Sequence, residues 1–526
     1  MSVNRASYGQ LTEGGPISLP LSENQVSHLA EYQILAVVAK HLEAHFVCAV
    51  EIDGRALSFG NSIQQQTCVG KPVRGQMKGI LSIPGKTSKT LVARYCLRSG
   101  VSPKVMQAAS SFPSERPSIR FWVGHETRAQ FLVRRNLDYI LGCCSVVIPG
   151  SREIVCMLTD HVALPLGWNR DNYWQARFLM DARQSLHKIA ASQDAARYTQ
   201  QIERVLRGHL TWVFDLAERP HGYWHRSYLA TGKPKDGPVF QLDQQCYPFL
   251  ELADLYDMFP EQSGFVKEML SQPVVDDFVG LVASKTDGAT GLVATEETPG
   301  DDPVEFEFHF SSHVLLWHTL TRLGALLRRI EPGQSQILVR IDSLATSLRK
   351  ATLAHFLQQD QQSSEWMYAY LTDGHGAFRM YHDGNDVVTL FAREWGFLES
   401  EIEMAAWENT MRFANSSRNE GGYCSNGPYA GLGSVHSPGP WPLGYYQTWR
   451  FSQVVGDHQL EQKLWKQICD VMQRDGTFPE AVDVVTGECT SKAWFSWPGS
   501  MIGSGLLRQE NRGKYLEASS EHCIDC

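Results

Sequence analysis

From Gly150 onward the chain repeats one pattern: a long stretch with apolar residues at near-helical spacing, followed by a loop rich in Gly, Pro and Trp. Such stretches cover residues 173–189, 195–217, 245–258, 313–330, 337–358, 400–414, 445–455 and 459–474, and each predicts an amphipathic helix. No strand–helix alternation runs through them, which excludes a parallel-sheet enzyme. Consecutive helices whose polar and aromatic residues gather in the connecting loops predict a mainly α fold, an (α/α) toroid. A closed ring of helix pairs leaves a funnel at one end, walled by loops, and a funnel suits the end of a chain-like molecule.

The preceding part reads differently. Between residues 31 and 147 short alternating or β-branched runs are broken by Gly, Pro and Asn, with candidate strands at 46–50, 79–84, 90–95 and 118–123. Their spacing predicts an all-β, sandwich-like domain, and no chemistry is visible in it. The expected organisation is therefore a β-domain over 1–150, the helical domain over 151–510 and a flexible tail over 511–526.

Composition narrows the function. A chain of 526 residues that is 43% hydrophobic can bury a large core in two domains. A formal net charge of -9 argues against nucleic acid or an anionic membrane as the main partner, and favours a neutral substrate. There is no run of eighteen apolar residues and no apolar stretch near the start, so a cytoplasmic protein with reduced thiols is expected. Among the 12 cysteines, Cys48, Cys143, Cys144, Cys246 and Cys469 sit in apolar surroundings and read as small buried hydrophobes. Cys523 and Cys526 have CxxC spacing without a second pair, so they read as part of the tail. Neither a Gly-rich phosphate loop nor a metal-spaced His/Cys cluster occurs, and no metal or cofactor is expected.

Three loops carry the candidate chemistry. In the first, Trp168-Asn169-Arg170-Asp171 precedes a helix: an Arg-Asp pair beside an indole can clamp sugar hydroxyls, and equally can be a salt bridge at a helix start. In the second, Asp243 lies between Leu242 and Gln244, desolvated enough to stay protonated and act as an acid, or simply placed to cap a helix. Glu251, about two turns on, is a rival acid. The third places Glu480 on a short loop after Pro479, before Trp494, Phe495 and Trp497, where a fixed carboxylate can act as a base or be an acidic loop residue beside packed rings. Further candidates for holding a ligand are Gln244, His309, Asp386, Arg418, Trp441 and Trp497.

Taken in order, these elements resemble the six-hairpin, (α/α)6-toroid glycoside hydrolases, namely the glucoamylases and the metal-independent α-mannosidases. Glu480, Asp483, Thr486-Gly487 and Phe495-Ser496-Trp497 follow the order of the glucoamylase C-terminal segment. The resemblance maps that family's base onto Glu480, with Ala481 where a Gln is usual, so a hydrogen bond is lost there. It maps the general acid onto Asp243, followed by Cys246-Tyr247-Pro248 as in the α-mannosidases, and the sugar-binding Arg and Asp onto Arg170 and Asp171. Phe308-His309-Phe310, Asn385-Asp386 with Trp395-Gly396-Phe397, and Pro440-Trp441-Pro442-Leu443 complete the set, Gly439 standing where glucoamylases have Asn. Bacterial glucoamylase relatives also carry a β-domain ahead of the toroid. The implied activity is metal-independent, inverting release of a terminal α-linked glucose or mannose from a carbohydrate or glycoside. A sugar-binding toroid without catalysis, and a lyase or glycosidase acting on a glycosylated small metabolite, remain alternatives.

Overall fold

The computed structural model describes segments between residues 11 and 99, namely 11–12, 15–16, 23–29, 34–39, 44–56, 66–69 and 82–99, together with 127–508 apart from 149, 152, 191, 271–272, 331–332 and 334. The chain divides into one unit over Met1–Ile119 and another over Arg120–Cys526. The division falls some thirty residues before the expected boundary, because a helix at 128–139 joins the second unit.

In the first unit, β1 (Leu11–Thr12) and β2 (Gly15–Pro16) pair with each other. A separate antiparallel sheet runs in the order β6-β5-β4-β3-β7, from β3 (Glu23–Leu29), β4 (Ile34–Ala39), β5 (Ala44–Ile52), β6 (Arg55–Ala56) and β7 (Gln66–Val69). Its sixth strand, β8 (Leu91–Ser99), pairs with β5 along the whole length of both. Asp53 and Gly54 turn β5 into β6 with φ of 51° and 77°, the doubly left-handed geometry that an Asp-Gly dipeptide adopts cheaply. The expected strands at 46–50 and 90–95 fall on β5 and β8, apart from Thr90. Residues 82–84 are not strand, and 118–123 lies outside the described residues. The described strands do not form the second layer of a sandwich.

Thirteen helices of the second unit are described, and six of them close a ring. These are α2 (Asn169–Ile189), α4 (Leu242–Met258), α7 (Phe310–Ile330), α9 (Val387–Phe391), α11 (Pro442–Val455) and α13 (Ser496–Leu507). Each packs on the next, and α13 returns to α2. Outside them lie α1 (Arg128–Tyr139), α3 (Ser192–Thr211), α5 (Ser263–Leu270), α6 (Val274–Lys285), α8 (Ser335–Phe356), α10 (Glu401–Ala414) and α12 (His458–Val471). Sequence pattern explains the two layers. α3 and α12 are strongly amphipathic, whereas α4 is buried continuously from Leu242 to Leu255 and α13 along its whole length. A helix covered on every side needs no polar face.

The helix α13 reads SWPGSMIGSGLL, a weak helix former by propensity, and tertiary packing overrides that weakness. A Cβ at Gly499 would lie 2.0 Å from Asn136 Oδ1, and one at Gly503 2.5 Å from the Phe178 ring, so its glycines let α1 and α2 approach closely. Cys144 and Cys246 are buried, as expected for small apolar residues, but Cys143 is exposed on the irregular turn after α1. Cys523 and Cys526 lie outside the described residues. No helix among the described residues is long and apolar enough to cross a membrane.

Candidate active site

All six inner helices begin at one mouth of the ring, and each start carries one of the elements singled out in the sequence. Trp168 precedes α2, with Arg170 and Asp171 in its first turn. Asp243 lies in the first turn of α4, His309 immediately before α7, Asp386 before α9, Trp441 before α11 and Phe495 before α13. Contacts between these starts bring residues more than three hundred positions apart together.

On one side of the mouth Arg170 is the hub. Its guanidinium donates to Asp243 Oδ2 at 2.9 Å and to Asp301 Oδ1 at 3.0 Å, while its Nε lies 3.8 Å from Asp171 Oδ2. The guanidinium carbon sits 5.7 Å over the Trp497 ring, and the Arg170 backbone N–H donates to Gln244 Oε1 at 3.1 Å. Pro248 adds a further tie between α2 and α4. It has no N–H for the carbonyl of Gln244 one turn back, and Asn169 Nδ2 donates to that carbonyl at 3.1 Å.

Burial sets the protonation of this cluster. It raises the Asp243 carboxyl above its ordinary value although Arg170 opposes it, and it pushes Asp171 up to about 7 against the same cation. For Asp301 burial also acts upward, but Arg170, Arg226 and the Gln241 amide outweigh it and hold the carboxyl low. Asp301 has a left-handed φ of 61°, an uncommon conformation for a residue other than Gly.

On the other side Glu480, 3% exposed, accepts three donors on Oε2: Ser437 Oγ at 2.7 Å, Ser491 Oγ at 2.7 Å and Lys492 Nζ at 2.6 Å. Lys492 Nζ also donates to Oε1 at 2.5 Å. Ser437 is held by its own loop, since Trp441 Nε1 donates to its carbonyl at 2.8 Å. Gly439 has φ of 124°, and a Cβ there would come within 2.4 Å of the Val482 carbonyl oxygen. The Asn of glucoamylases would not fit this backbone, so this departure follows from the path of the loop.

One dipeptide connects the two sides. Asp301 grips Arg170, and Asp302 Oδ1 lies 3.3 Å from Nδ1 of His436, the residue preceding Ser437. The rest of the mouth is closed by His309 and Asp386. His309 Nδ1 pairs with Ser312 Oγ at 2.8 Å, its Nε2 lies 3.5 Å from Asp386 Oδ1, and Ser311 Oγ donates to the same carboxylate. Burial works to raise Asp386, but His309, His382 and Ser311 hold it below its ordinary value. Trp441, Phe495 and Trp497 form an edge-on chain of rings with centroids 6.4 and 6.1 Å apart.

Residues 276–507, from α6 to the end of α13, match the family model of metal-independent alpha-mannosidases (GH125). A metal-independent alpha mannosidase of Streptococcus pneumoniae, described as a non-productive complex with alpha-1,6-mannobiose, superposes with a TM-score of 0.59 at 18% identity, covering 79% of this chain and 97% of that one. A bacterial glucoamylase in complex with acarbose has a TM-score of 0.58 at 12% identity, covering 96% of this chain and 76% of that one. The helical unit has the same toroidal fold as these two glycosidases. In sequence, the chain is 23% identical over 235 residues to the meiotically up-regulated gene 157 protein of Schizosaccharomyces pombe, a match covering 43% of this chain and 43% of that protein. His309, Asp386, Trp441, Glu480 and Trp497 lie inside the segment that matches the family model, whereas Arg170 and Asp243 precede it.

Two sequence candidates of the toroid stand apart from this mouth cluster. Arg418 is half-buried, 3.8 Å from Asp360 and 3.6 Å from Glu365 on the hairpin after α8, and contacts none of the residues above. Ion pairing to that hairpin accounts for it better than ligand binding. Glu251 lies eight residues beyond Asp243, about 12 Å up α4, and faces His209 of the outer helix α3 at 3.7 Å. Burial raises its carboxyl far above the ordinary value, in a place that does not open on the mouth.

Sequence reasoning missed Asp301, Asp302, Ser437, Ser491 and Lys492. Asp301-Asp302 sits in a Pro-Gly-Asp-Asp-Pro run that reads as a plain turn, and the other three are ordinary polar loop residues. No local signal marks them.

Proposed function

We propose that the protein is an exo-acting, metal-independent, inverting glycoside hydrolase that releases a terminal α-linked hexose, with mannose favoured over glucose. The observation that carries this reading is the continuous line of contacts from Asp243 through Arg170, Asp301-Asp302, His436 and Ser437 to Glu480. Two buried carboxylates, 237 positions apart in the sequence, belong to one mouth. Asp243 is the acid and Glu480 the base.

In the proposed reaction the Asp243 carboxyl gives its proton to the glycosidic oxygen. The bond from the anomeric carbon to that oxygen breaks, and the aglycone leaves as an alcohol. A water on the opposite face forms the new bond to the anomeric carbon while Glu480 takes its proton, giving the inverted anomer. Room for that water requires the two carboxyl groups to stand about 6.5–9.5 Å apart in the working complex. The raised Asp243 carboxyl suits the acid, and sugar hydroxyls that draw Arg170 away favour its protonated form further. Trp168 Nε1 and Asn169 Oδ1, buried at the start of α2 without a hydrogen-bond partner among the described residues, are a donor and an acceptor that a sugar hydroxyl would satisfy. Arg170, Asp171, His309 and Asp386 complete the sugar-binding set.

Mannose is favoured by the family match over 276–507, by an Asp at the acid position and by Cys246-Tyr247-Pro248 after it. Glucose is the second reading, supported by the likeness to the glucoamylase fold. Purified protein assayed on aryl α-mannosides and aryl α-glucosides, with the first-formed anomer followed by NMR, tests both. A retained anomer, or wild-type rates in Asp243→Asn and Glu480→Gln, would overturn the mechanism.

A further inference from the structure

Glu480 is tied more heavily than taking a proton from water requires. Ala481, directly after it, is a fully buried residue of a short strand and offers no side-chain donor. The donors come instead from Ser437 on the loop before α11 and from Ser491 and Lys492 on the returning strand. We propose that Lys492 is a positioning residue for the base: it supplies the counter-charge of buried Glu480 and, with the two serines, leaves Oε1 as the oxygen that accepts the proton from water. This inference rests on reading Glu480 as the base.

Three observations support it. A carboxylate only 3% exposed needs a counter-charge, and among the described residues Lys492 is the cation within ion-pair distance of it. The donors are distributed unequally. Oε2 accepts three, more than its two lone pairs accommodate well, whereas Oε1 accepts Lys492 alone and keeps a lone pair for water. The backbone is built to deliver this side chain. Lys492 has a left-handed φ of 43°, and its carbonyl accepts the Glu480 N–H at 3.2 Å, beside an irregularity in the pairing of Ala481 and Val482.

The other titratable groups facing this pair are few. His436 precedes Ser437 with Asp302 beside it, and Lys492 and Asp301 each act on His436 electrostatically. Cys489 comes from the same strand as Ser491, and its thiol is raised by burial first and then by Glu480. None of these replaces the ammonium as a hydrogen-bonded cation. Without it the buried carboxylate is left with no counter-charge.

The test compares wild type, Lys492→Met and Lys492→Arg over a pH series, on whichever aryl α-hexoside the wild-type protein cleaves. For K492M the expected result is a fall in kcat of about tenfold or more, KM within about twofold, and an acidic limb of kcat/KM raised by about one pH unit. K492R is expected to return the limb to within about a third of a pH unit of wild type, because it restores charge without the same shape. A K492M protein with the wild-type limb and rate would overturn the proposal. So would a K492R protein whose limb moves as far as that of K492M. Should K492M fail to fold, the K492R limb alone decides by the same margin. Glu480→Gln separates the two layers: wild-type rates in E480Q would overturn the base itself, whereas an inactive E480Q beside an unaffected K492M would overturn only the role of Lys492.

Discussion

Asp171 offers a test in which stability and activity move in opposite directions. Its carboxyl is 3% exposed and pushed from 3.8 up to about 7, chiefly by burial, against the nearby Arg170. A carboxyl whose pKa is higher in the folded than in the unfolded chain contributes its full stability below the unfolded value. That contribution is lost as pH rises through the folded value. For Asp171 the window therefore runs from 3.8 to about 7. At about 1.4 kcal/mol per pH unit, the wild-type chain loses up to about 4 kcal/mol across it. An amide of the same shape does not titrate, so the advantage of Asp171→Asn over wild type should be small near the acid end and grow by about 2–4 kcal/mol toward neutrality. All 14 tryptophans lie beyond residue 119, so their fluorescence during urea unfolding reports on the helical unit. Hydrolysis by the same protein should fall sharply, since Asp171 belongs to the proposed sugar clamp. A D171N protein less stable than wild type at neutral pH, or one whose advantage does not change with pH, would refute the reasoning.

Three further outcomes are expected. Asp243→Asn and Glu480→Gln should each lower kcat by about 10²–10⁴-fold, the range for losing a general acid or base, with urea midpoints near wild type; aryl-hexoside kinetics check this. Arg170→Met strands the carboxylates of Asp243, Asp171 and Asp301 without their shared cation, and should cost about 3–5 kcal/mol at neutral pH, easing under acid conditions as they take up protons; unfolding at two pH values checks it. Gly439→Ala forces a Cβ to 2.4 Å from the Val482 oxygen at φ 124°, and should cost about 1–3 kcal/mol while lowering kcat, because the same loop carries Ser437 to Glu480.

Which parts of the molecule the sequence revealed follows from how far each physical signal reaches along the chain. Helices α3 and α12 were legible because one face is apolar and the other polar, a pattern written within a few turns. Helix α13 is not legible from periodicity: buried on every side and rich in Gly and Ser, it shows no polar face. The helix at 128–139 was missed too, and the boundary between the units was placed too late in consequence.

The same distinction holds at the site. The residue types at the helix starts, Arg170, Asp171, Asp243, His309 and Asp386, and Glu480 on its loop, were determined by the sequence, as was their order along the chain. Only the tertiary structure decided that closure of six inner helices would gather them at one mouth, that Glu251 would face the outer layer, and that Arg418 would serve a hairpin. It also decided which groups compensate the buried charges: Asp301 for Arg170, and Ser437 and Lys492 for Glu480. Helix formation answers to neighbours within about four residues, whereas a carboxylate removed from water takes its counter-charge from whatever segment the folded chain brings beside it.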